Sequence, residues 1–158
     1  MSRIEARLAE LGHPLPEVAA PVAAYVPAVR TGDQIWTSGQ LPMVSGSLAR
    51  TGIVGADVNP DDAADLARIC CLNALAAIRA EIGDLDRITR VIKLVGYVAS
   101  DPAFTGQPAV INGASTFLGE VFGPAGVHAR SAVGVAALPL GAPVELDLVV
   151  EVDGPAAP

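Results

Sequence analysis

The chain is expected to fold as an α+β domain, a mixed β-sheet with two helices packed on one face. Three features of the sequence predict this. Asn59-Pro60-Asp61-Asp62 opens a long amphipathic helix, and a strand–helix–strand unit spans residues 90–138. A hairpin signal, Thr31-Gly32-Asp33, separates two short runs of strand formers. With 158 residues, the chain can bury one sizeable core but hardly two, so residues 1–158 are read as a single domain.

Taken in order, Ser2 to Leu11 is predicted as a short helix. Ser2 and Glu5 have capping-box spacing, Ile4, Leu8 and Leu11 share a face, and His13-Pro14-Leu15-Pro16 ends it. Ala24–Arg30 and Gln34–Ser38 are predicted strands, and the glycine-rich stretch 39–57 is a loop with a short strand around Leu48–Thr51. In the long helix Asn59 caps and Pro60 suits the first position. Asp61 and Asp62 favour the positive helix end. Leu66, Ile69 or Cys70, Asn73, Ala77 and Ile78 continue at helical spacing to Gly83.

Residues 90–99 form an apolar strand, 108–121 a second helix stopped at Gly123, and 129–138 and 143–152 two further strands. The crossover through 108–121 makes strands 90–99 and 129–138 parallel. The two last strands are expected to pair as an antiparallel hairpin about Leu140-Gly141, which sets Glu145 opposite Ala136.

These strands are apolar at both parities. Val91, Leu94, Val95, Val133, Val135, Val149 and Val150 cannot all face two helices. Strands of this kind are buried on both faces, so the second face is expected to pack on other copies of the chain.

The net charge of −7 and the lack of a Lys/Arg cluster argue against nucleic acid as a partner. No apolar run is long enough for a signal peptide or a membrane span, which predicts no membrane association and a cytoplasmic location. Cys70 and Cys71 are adjacent and have no spaced partner, so a buried structural role is expected. His13 and His128 cannot build a zinc site alone, and no metal-spaced carboxylates accompany them; no metal is expected.

Arg130, in His128-Ala129-Arg130-Ser131, is the only arginine after residue 90 and enters an apolar strand. Such a guanidinium needs a partner. It is either a structural ion pair with Glu151, the expected cross-strand neighbour, or a planar fork for a substrate carboxylate. Glu145 alternates with Asp147 and Glu151 and could form a plain polar face. With the expected hairpin it lies roughly 20 Å from Arg130. The two share a site only if Arg130 of one copy meets Glu145 of another.

Thr37-Ser38-Gly39-Gln40 is an ordinary turn or a ligand-approaching one. Asn112-Gly113 reflects close helix packing or an amide aimed into a site. Tyr25 is core or cleft.

These residues together resemble the RidA (YjgF/YER057c/UK114) family over about residues 20–152, with 1–19 as an N-terminal helical extension. The resemblance rests on Ala129-Arg130-Ser131, Val135-Ala136-Ala137-Leu138-Pro139 and Val144-Glu145-Leu146-Asp147, and on Ser38-Gly39-Gln40-Leu41-Pro42. It implies a chorismate-mutase-like fold and a homotrimer with intersubunit clefts. It further implies cofactor-free hydrolysis of carboxylate-bearing enamines and imines, such as 2-aminoacrylate, to a 2-keto acid and ammonia.

By position, the resemblance makes Arg130 the carboxylate-binding arginine and Glu145 the acid that positions water. Ser38, Gly39, Asn112 and Tyr25 become ligand-side residues. Ala132, Gly134 and His128 depart from the family's common Cys, Glu and Pro. A non-catalytic carboxylate-binding trimer and the endoribonuclease or translation-inhibitor label of the family are the alternatives. Chorismate-mutase chemistry would need several cations around a dicarboxylate, and only Arg130 qualifies.

Overall fold

The computed structural model describes residues 2–19 and 23–154. Helix α1 (Arg3–Glu10) forms with the expected capping box: Ser2 Oγ accepts from Glu5 N, and the Glu5 carboxylate accepts from Ser2 N. Ile4 and Leu8 are buried. Its first-turn amides also reach across the fold, with Arg3 N and Ile4 N donating to the Asp86 carboxylate at 2.9 and 2.8 Å. The extension is thus docked onto the domain.

Strands β1 (Ala28–Thr31) and β2 (Gln34–Thr37) make the predicted hairpin through a tight Gly32-Asp33 turn, and Gly32 takes the left-handed φ that the turn requires. The first strand starts later than expected because 23–25 bend ahead of Pro27. The single short strand expected near 48–51 is instead a miniature hairpin, β3 (Met43–Val44) and β4 (Ser47–Leu48), in a sheet of its own. Ser45 and Gly46, at φ 50° and 82°, are its primed turn. Asn73, buried on the long helix, holds this loop by donating to the Leu41 and Met43 carbonyls, both at 3.0 Å.

Helix α2 (Pro60–Ile82) starts as the sequence predicts, with Asn59 Oδ1 accepting from Asp62 N at 2.9 Å, and it stops at Gly83. Strand β5 (Ile88–Ala99), helix α3 (Gln107–Phe122) and strand β6 (Ala129–Val135) form the crossover, and β5 and β6 are parallel as expected.

The last strand corrects the predicted register. Strand β7 (Val144–Val152) does not pair with β6. The sheet order is β1-β2-β7-β5-β6, so β5 lies between them and Glu145 stands opposite Tyr97, not Ala136. The crossover commits β6 to one edge of β5. The connection through the Pro139–Gly141 turn then passes the end of β5, where Ala99 N donates to Pro143 O at 2.9 Å, and β7 fills the free edge. This places β7 in the middle of the sheet, with Val144, Leu146, Leu148 and Val150 fully buried under the helices.

Both α2 and α3 pack on one sheet face, over Leu94, Val98, Leu146, Leu148 and Val150. Leu75, Ile78, Ile111 and Leu118 complete that layer and are fully buried. Each such side chain contributes roughly 1.5–3 kcal/mol relative to exposure. This layer therefore dominates the stability.

Two glycines set its thickness. A Cβ on Gly96 would collide with Ile111, and one on Gly113 would collide with the backbone carbonyl of Ala64 on α2. The close-packing explanation of Gly113 is therefore correct. Alanine there improves helix propensity by about 1 kcal/mol. Backbone cannot swing aside as a side-chain tip can, and overpacking costs about 1–3 kcal/mol or more. Gly113→Ala should lower the thermal midpoint, measurable by calorimetry; a rise would show that the helices separate freely.

The other sheet face is open in the single chain. Val29, Trp36 and Val133 are 52%, 52% and 43% exposed, with Val95 and Val149 between them by register. Side-chain alternation thus divides the apolar residues as the sequence suggested, with Val91, Leu94 and Val150 under the helices and Val95, Val133 and Val149 on the open face.

Candidate functional site

Arg130 sits on the helix-facing side of β6, an edge strand, in register with Leu94. Its Nη1 donates to Asn112 Oδ1 at 2.6 Å and to Ser115 Oγ at 3.3 Å, both on α3. The ion pair with Glu151 does not form. Glu151 stands opposite Arg90 and Gln34 and accepts from Thr89 Oγ1, two strands away from β6. Nη1 alone thus makes Arg130's side-chain hydrogen bonds among the described residues. The Nε–Nη2 edge, whose two N–H bonds run parallel, is the edge that matches a carboxylate. Asn112 is therefore an amide beside the guanidinium.

Ser115 carries the network further. Its Oγ lies 2.9 Å from His128 Nε2, and His128 Nδ1 lies 2.6 Å from Gly126 O. Ser115 was missed in the sequence, although it follows Asn112 at the spacing that puts two residues on one helix face.

Glu145 is on the opposite face of the sheet. Its even-numbered neighbours Val144 and Leu146 are buried under the helices, so Glu145 and Asp147 share the open face with Tyr97. Tyr97 Oη donates to Asp147 Oδ2 at 3.4 Å. The Glu145 carboxylate lies where a Cβ on residue 39 would be, so Gly39 is what makes room for it.

Burial, and then the neighbouring Asp147, push the Glu145 pKa above the ordinary carboxylate range; burial does the same for Asp147. An acid so placed holds its proton more readily than a surface glutamate does.

Ser38 Oγ donates to Val26 O at 2.6 Å and Ser38 N to Pro27 O at 2.8 Å, which tethers this loop to the segment that carries Tyr25. Tyr25 is 42% exposed and is not a core residue. Next to Gly39, Gln40 bridges to Leu146.

One chain therefore carries two separate clusters, each built around polar side chains. One holds Arg130, Asn112, Ser115 and His128; the other holds Glu145, Asp147, Tyr97, Gly39, Ser38 and, beyond Val26, Tyr25. In register, Arg130 aligns with Leu148 across β5, which puts Glu145 about 10 Å along the sheet and about 10 Å across it, on the other face. The predicted 20 Å along a hairpin was wrong, but the separation it implied holds.

One of the departures has a structural explanation. A Cβ at Gly134 would collide with the Gln107 amide and the Ser100 hydroxyl, which hydrogen-bond to each other at 3.1 Å, while Ala132 packs against the core.

Among the described residues no group of three or more His, Cys, Asp or Glu side chains could hold a metal ion, and no helix is long and apolar enough to cross a membrane. Cys70 and Cys71 are buried free thiols whose pKa values burial raises, that of Cys71 to about 12, in keeping with structural roles.

The role of Gly39 yields a prediction. Gly39→Ala must displace the Glu145 carboxylate, a flexible tip, and not any backbone. The thermal midpoint should hardly change, whereas any reaction that depends on Glu145 should slow by at least about tenfold. Parallel melting curves and steady-state rates check this, and unchanged rates would detach Gly39 from the acid's function.

Known proteins resemble this chain in sequence and fold. Residues 5–152 match the family model described as "YjgF/chorismate_mutase-like, putative endoribonuclease". Protein TCP17 of Trypanosoma cruzi is 46% identical over 96% of this chain and 95% of its own length. The crystal structure of Atu1372 from Agrobacterium tumefaciens is 51% identical with a TM-score of 0.89, covering 95% of this chain and 93% of that one. RidA from the Antarctic bacterium Psychrobacter sp. PAMC 21119 is 27% identical with a TM-score of 0.62, covering 86% and 94%. With the chorismate-mutase-like sheet, the family model over nearly the whole chain and relatives this similar, the chain belongs to the YjgF/RidA/UK114 family.

Proposed function

We propose that this protein hydrolyses carboxylate-bearing imines and enamines to 2-keto acids and ammonia, in clefts formed where Arg130 of one copy meets Glu145 of another within a homotrimer. The observation that carries the reading is the orientation of Arg130: Nη1 is held by Asn112 and Ser115, and the edge shaped for a carboxylate points away from them. The open apolar sheet face with Val29, Trp36 and Val133 supports assembly from copies of the chain.

In this reading Arg130 Nε and Nη2 bind the substrate carboxylate, which fixes the neighbouring imine carbon. With the imine protonated on nitrogen, water adds to that carbon as its proton passes to the Glu145 carboxylate, and the C=N electron pair becomes the lone pair of a neutral amine. Glu145 then returns the proton to the amine, the C–N bond breaks, and ammonia leaves as the carbinol hydroxyl gives its proton to the freed Glu145 carboxylate or to solvent and becomes the keto oxygen. One water is consumed for each ammonia released. A carboxyl group with a raised pKa suits this alternation of base and acid.

The test is release of ammonia and keto acid from imines generated in situ by an amino-acid oxidase, comparing wild type with Arg130→Ala. Acceleration that disappears in the variant supports the proposal. No acceleration across small and bulky imino acids would leave a carboxylate-binding trimer without turnover.

The family description favours a second reading, endoribonuclease. The net charge of −7 weighs against it, because a phosphate backbone is held by cations. Salt-sensitive RNA binding followed by cleavage would revive it.

A further inference from the structure

We propose that Ser115 and His128 are a positioning pair for Arg130, setting the guanidinium plane that meets the ligand; this rests on reading Arg130 as the carboxylate fork. Nη1 carries two hydrogens, and the structure gives it two acceptors, Asn112 Oδ1 at 2.6 Å and Ser115 Oγ at 3.3 Å. One acceptor would leave the guanidinium free to rotate about that bond. Two acceptors one helical turn apart on α3 fix the plane and aim the Nε–Nη2 edge outward. Ordering a long side chain in advance lessens what binding must spend on it.

Ser115 can accept from Arg130 only if its own hydrogen goes elsewhere. A helical serine ordinarily donates to the carbonyl one turn back. Here His128 Nε2 lies 2.9 Å away. The direction of that bond follows from the other ring nitrogen. Nδ1 is 2.6 Å from Gly126 O, a carbonyl that can only accept, so Nδ1 bears the hydrogen. In the neutral ring Nε2 is then an acceptor, and the Ser115 hydroxyl donates to it. The hydroxyl oxygen is left turned to Arg130.

The backbone holds the histidine in place. Gly126 is buried, and a Cβ there would collide with the carbonyl of Leu118, so the turn after α3 is pressed against the helix one turn beyond Ser115. The network runs Arg130, Ser115, His128, Gly126, with every bond pointing away from the guanidinium. Neither Ser115 nor His128 needs to touch the ligand.

The experiment measures the dissociation constant of a small 2-keto acid (pyruvate) by calorimetry, and KM and kcat for the imine assay, in full-length Ser115→Ala, Ser115→Thr, His128→Ala and the Ser115→Ala/His128→Ala pair. Each alanine variant should weaken pyruvate binding and raise KM about five- to tenfold, with kcat within about twofold, as expected for one lost hydrogen bond to a charged group at a stretched distance. The double variant should be no worse than either single one, because the bonds act in series. Ser115→Thr, which keeps the hydroxyl, should restore binding.

Unchanged binding in both alanine variants, while Arg130→Ala abolishes it, overturns the positioning pair and leaves the carboxylate fork standing. Unchanged binding in Arg130→Ala overturns both. Additive losses, or a threonine variant as weak as alanine, would assign the two residues a merely structural role.

Discussion

Arg130→Ala should reduce binding of a small 2-keto acid and turnover of carboxylate imines by about 10²–10⁴-fold while leaving the proposed trimer intact. The magnitude follows from the bonds lost. Two parallel charge-assisted hydrogen bonds are worth about 1.5–3 kcal/mol each, and 1.4 kcal/mol is a tenfold change. The fold should lose little, because Arg130 lies on an edge strand and ties together only groups at the surface of α3. Asn112 and Ser115 recover hydration when the guanidinium goes. Titration calorimetry with a 2-keto acid and sedimentation of the variant separate the outcomes. Loss of assembly with retained binding would make Arg130 a structural residue.

The sequence revealed the elements better than their arrangement. Capping residues are local, and so Ser2 with Glu5, Asn59 with Asp62, and Gly83 marked helix ends correctly. The parallel pairing of β5 and β6 was legible because a crossover of this length has one favoured hand and neighbour. What failed was the assumption that consecutive strands pair. The choice between β6 and β5 as the partner of β7 depends on which edge of β5 remains free, a property of the whole sheet that no local motif in 136–143 carries.

The same limit applies to the site. Arg130 and Glu145 stood out individually as charges in apolar strands. Parity also told that Glu145 shares a face with Asp147. The partners of Arg130 were harder, since Asn112 and Ser115 reach it only through the packing of α3 on the edge of the sheet. The ion pair with Glu151 was an artefact of the wrong register. Gly39 looked like a turn residue, whereas its lack of a side chain is what seats the Glu145 carboxylate.

Glu145→Gln should abolish turnover and at the same time make the protein more stable at neutral pH. The rate loss expected for removing a general acid–base group is about 10²–10⁴-fold, with binding of the keto acid nearly retained. The stability gain follows from the direction of the pKa shift. Burial and Asp147 raise the Glu145 pKa above its ordinary 4.5 in the folded chain, so the folded state holds this proton more tightly than the unfolded state does. Stability from that group is fully present below 4.5 and is lost as pH rises through the higher folded value. Glutamine keeps the shape and cannot ionise. Its advantage should therefore be absent at low pH, grow through the carboxylate range and level off toward neutrality. It should be small, at most about 1 kcal/mol, because the half-buried group is partly screened by solvent.

The advantage also reports on the cleft. If Arg130 of a second copy faces Glu145, the guanidinium offsets part of the cost of ionisation, and Glu145→Gln should gain more in an Arg130→Ala background than in wild type. Within one chain the two groups lie on opposite sheet faces, farther apart than the roughly 8 Å screening length at physiological salt. Equal gains in both backgrounds would separate the two clusters and argue against a shared cleft. Unequal gains, read from melting curves across pH without any ligand, would join residues that no single copy of the chain brings together.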